Sequence, residues 1–419
     1  MFYRVVIALV LIFTISFSAD AGERAPLSAG VATQDITPGS DMWLGGFYPG
    51  RKSTGIHDPL EARALSLRES DGKIYSFVAV DLIGFLYGDV IRLRQELDMP
   101  DVEVFVMSSH THSAPDPIGL YGPTLFKFPL KSGRDEAYID FVIRKITRAV
   151  KDSVADLEPV LVFAGSVDFP MLRNKYGGPV DAELSVTGFK TASTGKNKAV
   201  IVNLGCHPTT LTRPNKLITS DFVGPLRNHL DRELAATSLF INGALGGVTH
   251  DFPHLERNTF EKARQVGETM AVRAEAAFYG AQPTFTDGSV HHRRAVVNVP
   301  LENRRFLAAT ILGIVPGRGI SLRNRTIETE VNVLRFGGVT LVMVPGEMHP
   351  EPALSLKRRF GPGTQIWSLA NDEIGYILPA GRFHDQELAY WRGVSVGPET
   401  EAAVMEALEE IRSDLAGPS

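Results

Sequence analysis

Ser108-Ser109-His110-Thr111-His112-Ser113 follows directly on an apolar run, VEVFVM, at 102–107. The run reads as a buried strand. A strand that exits into small polar residues delivers side chains to a sheet edge, where ligands bind. If the strand geometry persists, alternate residues share a face, so His110 and His112 project together. Two imidazoles on one face either share a metal ion or split the work between ligand and acid–base group. An HxH alone is equally the mark of two polar loop histidines. A second exit of the same kind is Gly205-Cys206-His207-Pro208, after an apolar run at 199–204. Pro208 ends the ladder and holds His207 at its mouth. Cys206 faces away and reads as a small buried apolar residue. A third is Val344-Pro345-Gly346-Glu347, which presents a carboxylate. Three strands thus each end in a residue type that zinc accepts, and a catalytic zinc takes three or four such ligands with one position open for water.

The elements that must position these residues are readable from hydrophobic spacing. Strands are predicted at 74–83, 102–107, 160–167 and 199–204. Helices are predicted at 87–97, 138–154, 255–278 and 401–411; in the second, Ile139, Val142, Ile143 and Ile146 form one face. Runs at 331–336 and 339–344 flank Gly337-Gly338, a hairpin signal. Strands mixed with helices, some joined by hairpins, predict an α/β domain with mixed sheets. No Pro/Ser-rich linker and no repeat divides it.

Composition narrows the function. The 419 residues are 44% hydrophobic and 22% charged, ordinary globular values. Lys plus Arg is 43 against 48 Asp plus Glu, a net charge of −5. No basic excess exists to neutralise phosphates, which argues against a nucleic-acid partner. One cysteine, Cys206, can form neither an internal disulfide nor a cysteine zinc cluster. Arg4, an apolar stretch at 5–17 and Ala19-Asp20-Ala21 have the layout of a secretory signal peptide over 1–21. The stretch is short for a spanning helix, which needs about 20 residues. The expected mature protein is a single domain, 22–419, secreted or periplasmic.

Other residues compete for attention. His349 lies two positions past Glu347 and is the best rival ligand. His250 and His254 flank Asp251 and read as loop residues. His291-His292 reads as a solvated strand edge. Asp81 ends a strand and either orients a metal-binding histidine or caps the next turn. The segment 118–130, IGLYGPTLFKFPL, is apolar but rich in Gly and Pro. Tyr121, Leu125, Phe126 and Phe128 in it are expected to line an acyl-chain channel. The apolar stretch 306–315 reads as core or a buried helix.

Taken together, these blocks resemble the catalytic region of the neutral (non-lysosomal) ceramidase family. The likeness runs from Ala29-Gly30-Val31-Ala32-Thr33-Gln34-Asp35-Ile36-Thr37-Pro38 to about Arg392. Gly55-Ile56-His57-Asp58-Pro59-Leu60-Glu61-Ala62-Arg63-Ala64 is similar to the family's next block. Ser109-His110-Thr111-His112-Ser113-Ala114-Pro115 resembles its THTHSGP signature, with Ala114 for Gly. Asn174-Lys175 stands where the family has Asn-Arg. Cys206-His207-Pro208-Thr209, Pro345-Gly346-Glu347 and Asn371-Asp372-Glu373-Ile374-Gly375-Tyr376 follow in the family's order.

The resemblance implies a sandwich of central mixed β-sheets flanked by helices. It also implies one catalytic zinc (Zn2+) on His110, His207, Glu347 and Tyr376. His112 then stands beside the metal and, with Tyr390, stabilises the developing oxyanion, and Glu347 or His112 relays the proton to the leaving amine. Asn174 and Lys175 are implied substrate contacts, although Lys175 lacks the planar fork of the family's arginine. The family's C-terminal immunoglobulin-like domain has no counterpart in this sequence. The implied activity is hydrolysis of an N-acylated, ceramide-like lipid to a fatty acid and an amine, with peripheral contact to a membrane. A zinc hydrolase of esters or non-lipid amides, or a non-catalytic binding protein on the same fold, are the other readings.

Overall fold

Apolar, β-branched runs, several of them buried along most or all of their length, place most strands in two sheets. The computed structural model describes residues 26–39, 41–125, 128–284, 287–315 and 319–416. The expected signal peptide at 1–21 and Phe126 lie outside the described residues, as does the side chain of Phe128.

The larger sheet runs Thr237–Asn242, Asn197–Leu204, Glu183–Thr191, Glu158–Asp168, Ser28–Asp35, Glu61–Arg68, Ile74–Val80, Val102–Ser108, with Gln282–Pro283 attached to Glu158–Asp168. It is antiparallel in the middle and parallel in the outermost pair at each end. The smaller sheet runs His291–Pro300, Thr326–Phe336, Val339–Met343, Thr364–Trp367, its last pair parallel, with Ile320–Ser321 attached. Mixed sheets are therefore found as expected.

The two sheets pack face to face. Phe77, Phe105 and Met107 meet Leu334, Leu341 and Trp367 in one cluster, with Phe77 and Trp367 edge to face at 5.3 Å. Helices cover both outer faces. Tyr87–Leu97 and Glu136–Ala155 lie on one half of the large sheet, Val223–Leu234 and Phe260–Gly280 on the other, and Pro350–Phe360 with Thr400–Ala416 on the small sheet. Ile139, Val142, Ile143 and Ile146 are all buried, the predicted face.

Some boundaries differ for physical reasons. The helix expected from 255 starts at Phe260, because Asn258 takes φ 60° and Thr259 caps the N–H of Lys262. The strand expected to reach 83 stops at Val80, because the carbonyls of Leu82 and Ile83 turn to His110. The 306–315 stretch is not wholly buried. Phe306 and Ala309 on the helix Arg304–Ile311 are inside, but Ile311 and Leu312 are 64% and 62% exposed. His291 lies on a solvated edge, whereas His292 is half-buried and donates to Asn332 Oδ1 at 3.0 Å.

Candidate functional site

Three parallel strand pairs open toward the candidate site, one at each end of the large sheet and one in the small sheet. The strand Val102–Ser108 ends two residues before His110, which takes φ 71°. A left-handed non-glycine residue costs energy and persists where surrounding structure over-determines it. Here His110 N–H donates to Leu82 O at 2.9 Å, and Nδ1 lies 2.6 Å from Ile83 O. The ladder has ended, so strand alternation is not what brings His110 and His112 together. The left-handed turn does so, with ring centroids 4.9 Å apart.

His207 is fixed in the same manner. Its N–H donates to Val248 O at 3.1 Å, and its Nδ1 lies 3.0 Å from the same carbonyl. Asn242 couples the two histidine loops: its amide donates to Ser109 O at 2.9 Å and accepts from Cys206 N at 3.0 Å. Cys206 itself is buried in a hydrophobic cluster, as expected, its thiol 3.8 Å from the His207 carbonyl.

Glu347 and Tyr376 are neighbours across a short parallel bridge, Glu347–Met348 with Tyr376–Ile377. Gly346 takes φ 117° before it, and a Cβ there would stand 2.5 Å from Gly375 O. That bridge sets a phenol beside a carboxylate on one face, which no spacing in the sequence reveals.

The convergence is close. Glu347 Oε2 lies 2.8 Å from His207 Nε2 and 3.3 Å from His110 Nε2. Tyr376 OH lies 3.3 Å from His207 Nε2. A carbonyl accepts only, so each Nδ1 carries a hydrogen, and each Nε2 turns inward with a lone pair or, when the ring is charged, a second hydrogen. Glu347 Oε2 is buried, with the two Nε2 atoms against it. Lone pairs converging on one point require a positive charge between them, a proton or a metal ion. Imidazole and carboxylate are donors that zinc accepts, and the Tyr376 oxygen stands beside them. His110, His112 and His207 form a group able to hold a metal ion, and so do His110, Glu347 and Glu373.

Electrostatics follow the same geometry. Burial opposes charge at Glu347, yet His110 and His207 outweigh it and hold the carboxyl well below its ordinary range. Burial opposes charge at His110, but Glu347 outweighs it and raises the pKa. At His207 burial wins and lowers it. His112 is pushed down strongly, by burial first and then by the neighbouring His110 and His207. Both of its ring nitrogens are buried and without a partner. Burial raises the phenol of Tyr376, and Glu347 adds to the rise.

The other sequence candidates fall on both sides of this centre. Tyr390, on the short helix Ala389–Arg392, is 62% exposed and lines the small cavity shared by His110, His112, Glu347 and Tyr376. Tyr121 lines it too, but Leu125 is exposed and is not among its lining. Lys175 opens into a neighbouring cleft. Asn174 is taken up by its own turn, donating to Pro179 O at 2.7 Å and accepting from Tyr176 N at 3.1 Å. His349, the rival ligand, is buried against Tyr176 at 4.8 Å between ring centroids and is in neither metal-capable group. Asp81 orients no histidine; it forms a buried ion pair with Arg227 at 2.6 Å. Glu373 and Asn242 were missed by sequence reasoning. Only the position of Glu373 inside the Asn371 to Tyr376 block could have flagged it.

No protein-family model matches the chain, and no curated protein matches it in sequence. Solved structures do. The neutral ceramidase from Pseudomonas aeruginosa aligns with TM-score 0.77 and 19% identity, covering 93% of this chain and 75% of that one. A structure of ceramidase complexed with C2 aligns with TM-score 0.78 and 19% identity over the same shares. The chain therefore has the neutral ceramidase fold, as the motif blocks led one to expect.

Proposed function

We propose that this protein is a zinc-dependent amidohydrolase that cleaves the amide of an N-acylated, ceramide-like lipid to a fatty acid and an amine. The observation that carries the reading is the meeting of four groups: His110 and His207 each within hydrogen-bond distance of Glu347, and Tyr376 within that distance of His207. The motif resemblance and the shared fold support it.

Zinc bound there would supply a Lewis acid and a water acidified to near neutrality. The chain's own residues do the rest. Ile83 and Val248 carbonyls fix the tautomers of His110 and His207. His112, kept neutral, and Tyr390 offer hydrogen-bond donors to the carbonyl oxygen as it gains charge; one such donor is typically worth ~2.7–4 kcal/mol. Glu347 and His112 both stay unprotonated at neutral pH, so either relays to the departing amine a proton released by the attacking water rather than storing one. Gly46, at φ 77°, leaves room for His112: a Cβ there would stand 2.3 Å from the imidazole.

The acyl chain has a place to go. A cleft of about 470 Å³ beside the cavity is lined by Tyr48, Leu120, Tyr121, Phe306, Ala309 and Tyr390. Among the described residues no helix is long and apolar enough to cross a membrane. Export rests on the N-terminal pattern alone, and contact with a lipid surface would be peripheral. Metal analysis with a fatty-acid release assay on N-acyl lipids tests the whole reading; a metal-free protein, or one inert on every amide, overturns it.

A further inference from the structure

Phe47 stands at a junction. Its ring meets His112 edge-on at 4.7 Å between centroids. It lines the cavity over His110 and Glu347, the apolar cleft just described, and a third cleft of about 470 Å³. The third cleft is chemically unlike the second. Arg173, Lys175, Arg257 and Lys262 line it, and the one carboxylate in its lining is Asp251. This excess of positive charge sits on a chain whose net charge is −5.

Two of its cations, Arg173 and Lys175, are mounted on and just after the strand paired with the one that orients His207. Leu172–Asn174 pairs with Val248–His250, setting Arg173 opposite Thr249 and Asn174 opposite Val248, the residue whose carbonyl holds His207. Lys175 N–H continues the pairing to Gly247 O at 2.9 Å. Little neutralises these charges. Arg173 reaches Asp251 only at 3.9 Å. Lys262 donates to a neutral carbonyl, Phe252 O, at 2.9 Å. Among the described residues no ion pair engages Lys175 or Arg257. His250 also lines the cleft; it holds Thr210 Oγ1 at 2.9 Å through Nε2, and its buried Nδ1 has no partner.

An amide has two halves on opposite sides of its carbonyl. With the carbonyl over His110 and the acyl chain in the apolar cleft, the amine half points past Phe47 toward the basic one. We propose that the basic cleft binds an anionic group, a carboxylate or another oxyanion, carried on the amine half of the substrate. The preferred substrates are then acidic N-acyl amines such as N-acyl amino acids. This inference rests on the hydrolase reading and narrows it.

The test compares two matched substrates on the zinc-loaded protein: N-dodecanoylglycine, with a carboxylate, and N-dodecanoylethanolamine, without one. Both release the same fatty acid. The kcat/KM ratio should favour the glycine amide by about tenfold at low salt, the factor a few partly screened ion pairs supply. Added salt should shrink the ratio. Arg173→Glu with Arg257→Glu should invert it; both side chains are at the surface, and a melting curve checks folding. Arg257→Gln alone should reduce it. A ratio at or below one in the parent protein, or one that the reversed charges leave unmoved, overturns the anionic cleft while the hydrolase reading stands. Release of fatty acid from neither substrate or from any other amide overturns the hydrolase reading itself and this inference with it.

Discussion

Glu347 Oε2 approaches His207 Nε2 to 2.8 Å while His207 Nδ1 is already held by Val248 O. The Val248 carbonyl takes the Nδ1 hydrogen, so Nε2 and the carboxylate are both satisfied only by a shared positive charge, a proton on Nε2 or a metal ion beside the pair. About one zinc per chain is expected, the stoichiometry of a single site of this donor set. His207→Ala should lose the metal and the activity and keep the fold. Stoichiometric zinc retained in that variant, measured by elemental analysis, would remove His207 from the ligand set.

The two signature histidines should separate. His110 spends Nδ1 on Ile83 O and faces Glu347 with Nε2. His112 has no such anchor and lies beside the Phe47 ring. His110→Ala should lower zinc content, and His112→Ala should keep zinc while losing turnover, by ~10²-fold if it is one oxyanion donor. Equal zinc loss in both variants would instead make the HxH pair a chelate.

The fold was legible where period and composition agree. The helix at 87–97 is found at the predicted bounds, and the hairpin on Gly337-Gly338 pairs Phe336 with Val339. The strand exits at His110, His207 and Glu347 were legible because Pro, Gly and small polar residues punctuate apolar runs. Their meeting was not, since it depends on how the two sheets stack. Tyr376 came only from resemblance, because its partner is the two-residue bridge to Glu347. Asn242 was invisible for the same reason. It acts 133 residues from Ser109 and 36 from Cys206.

Asn242 is expected to be a positioning residue. It touches neither the substrate pocket nor the converging lone pairs, yet both histidine loops hang on it. Asn242→Ala should weaken zinc binding by about 10–100-fold, the usual effect of losing an outer support. Competition with a chelator reads this directly, apart from any loss of melting temperature. An unchanged zinc affinity in a destabilised variant would make the residue merely structural.

Asp81 and Arg227 make a stability prediction. Both are fully buried, joined at 2.6 and 3.0 Å. Arg227→Met leaves a carboxylate buried without its main partner, at a cost of about 3–5 kcal/mol. Asp81→Asn added to Arg227→Met should recover part of that, because the uncompensated charge is gone while an oxygen remains for the Glu61 N–H. Denaturant unfolding measures each. A double variant no better than the single would show that packing, not charge, is what Arg227 supplies.

Acyl selectivity supplies the last prediction. The segment after the histidine signature does contribute to the apolar cleft, through Leu120 and Tyr121, but Leu125 does not line it. Phe306 and Ala309, from a stretch read as core or a buried helix, provide the opposite wall. Each substrate methylene buried between these walls is worth about 0.8 kcal/mol. Long-chain amides should therefore exceed the acetyl amide in kcat/KM by orders of magnitude, less what chain ordering costs. Leu120→Ser should flatten that slope and leave zinc content untouched. The measurement is kcat/KM against acyl length for both proteins, with the melting temperature as control. An unchanged slope in a well-folded variant would place the acyl chain elsewhere.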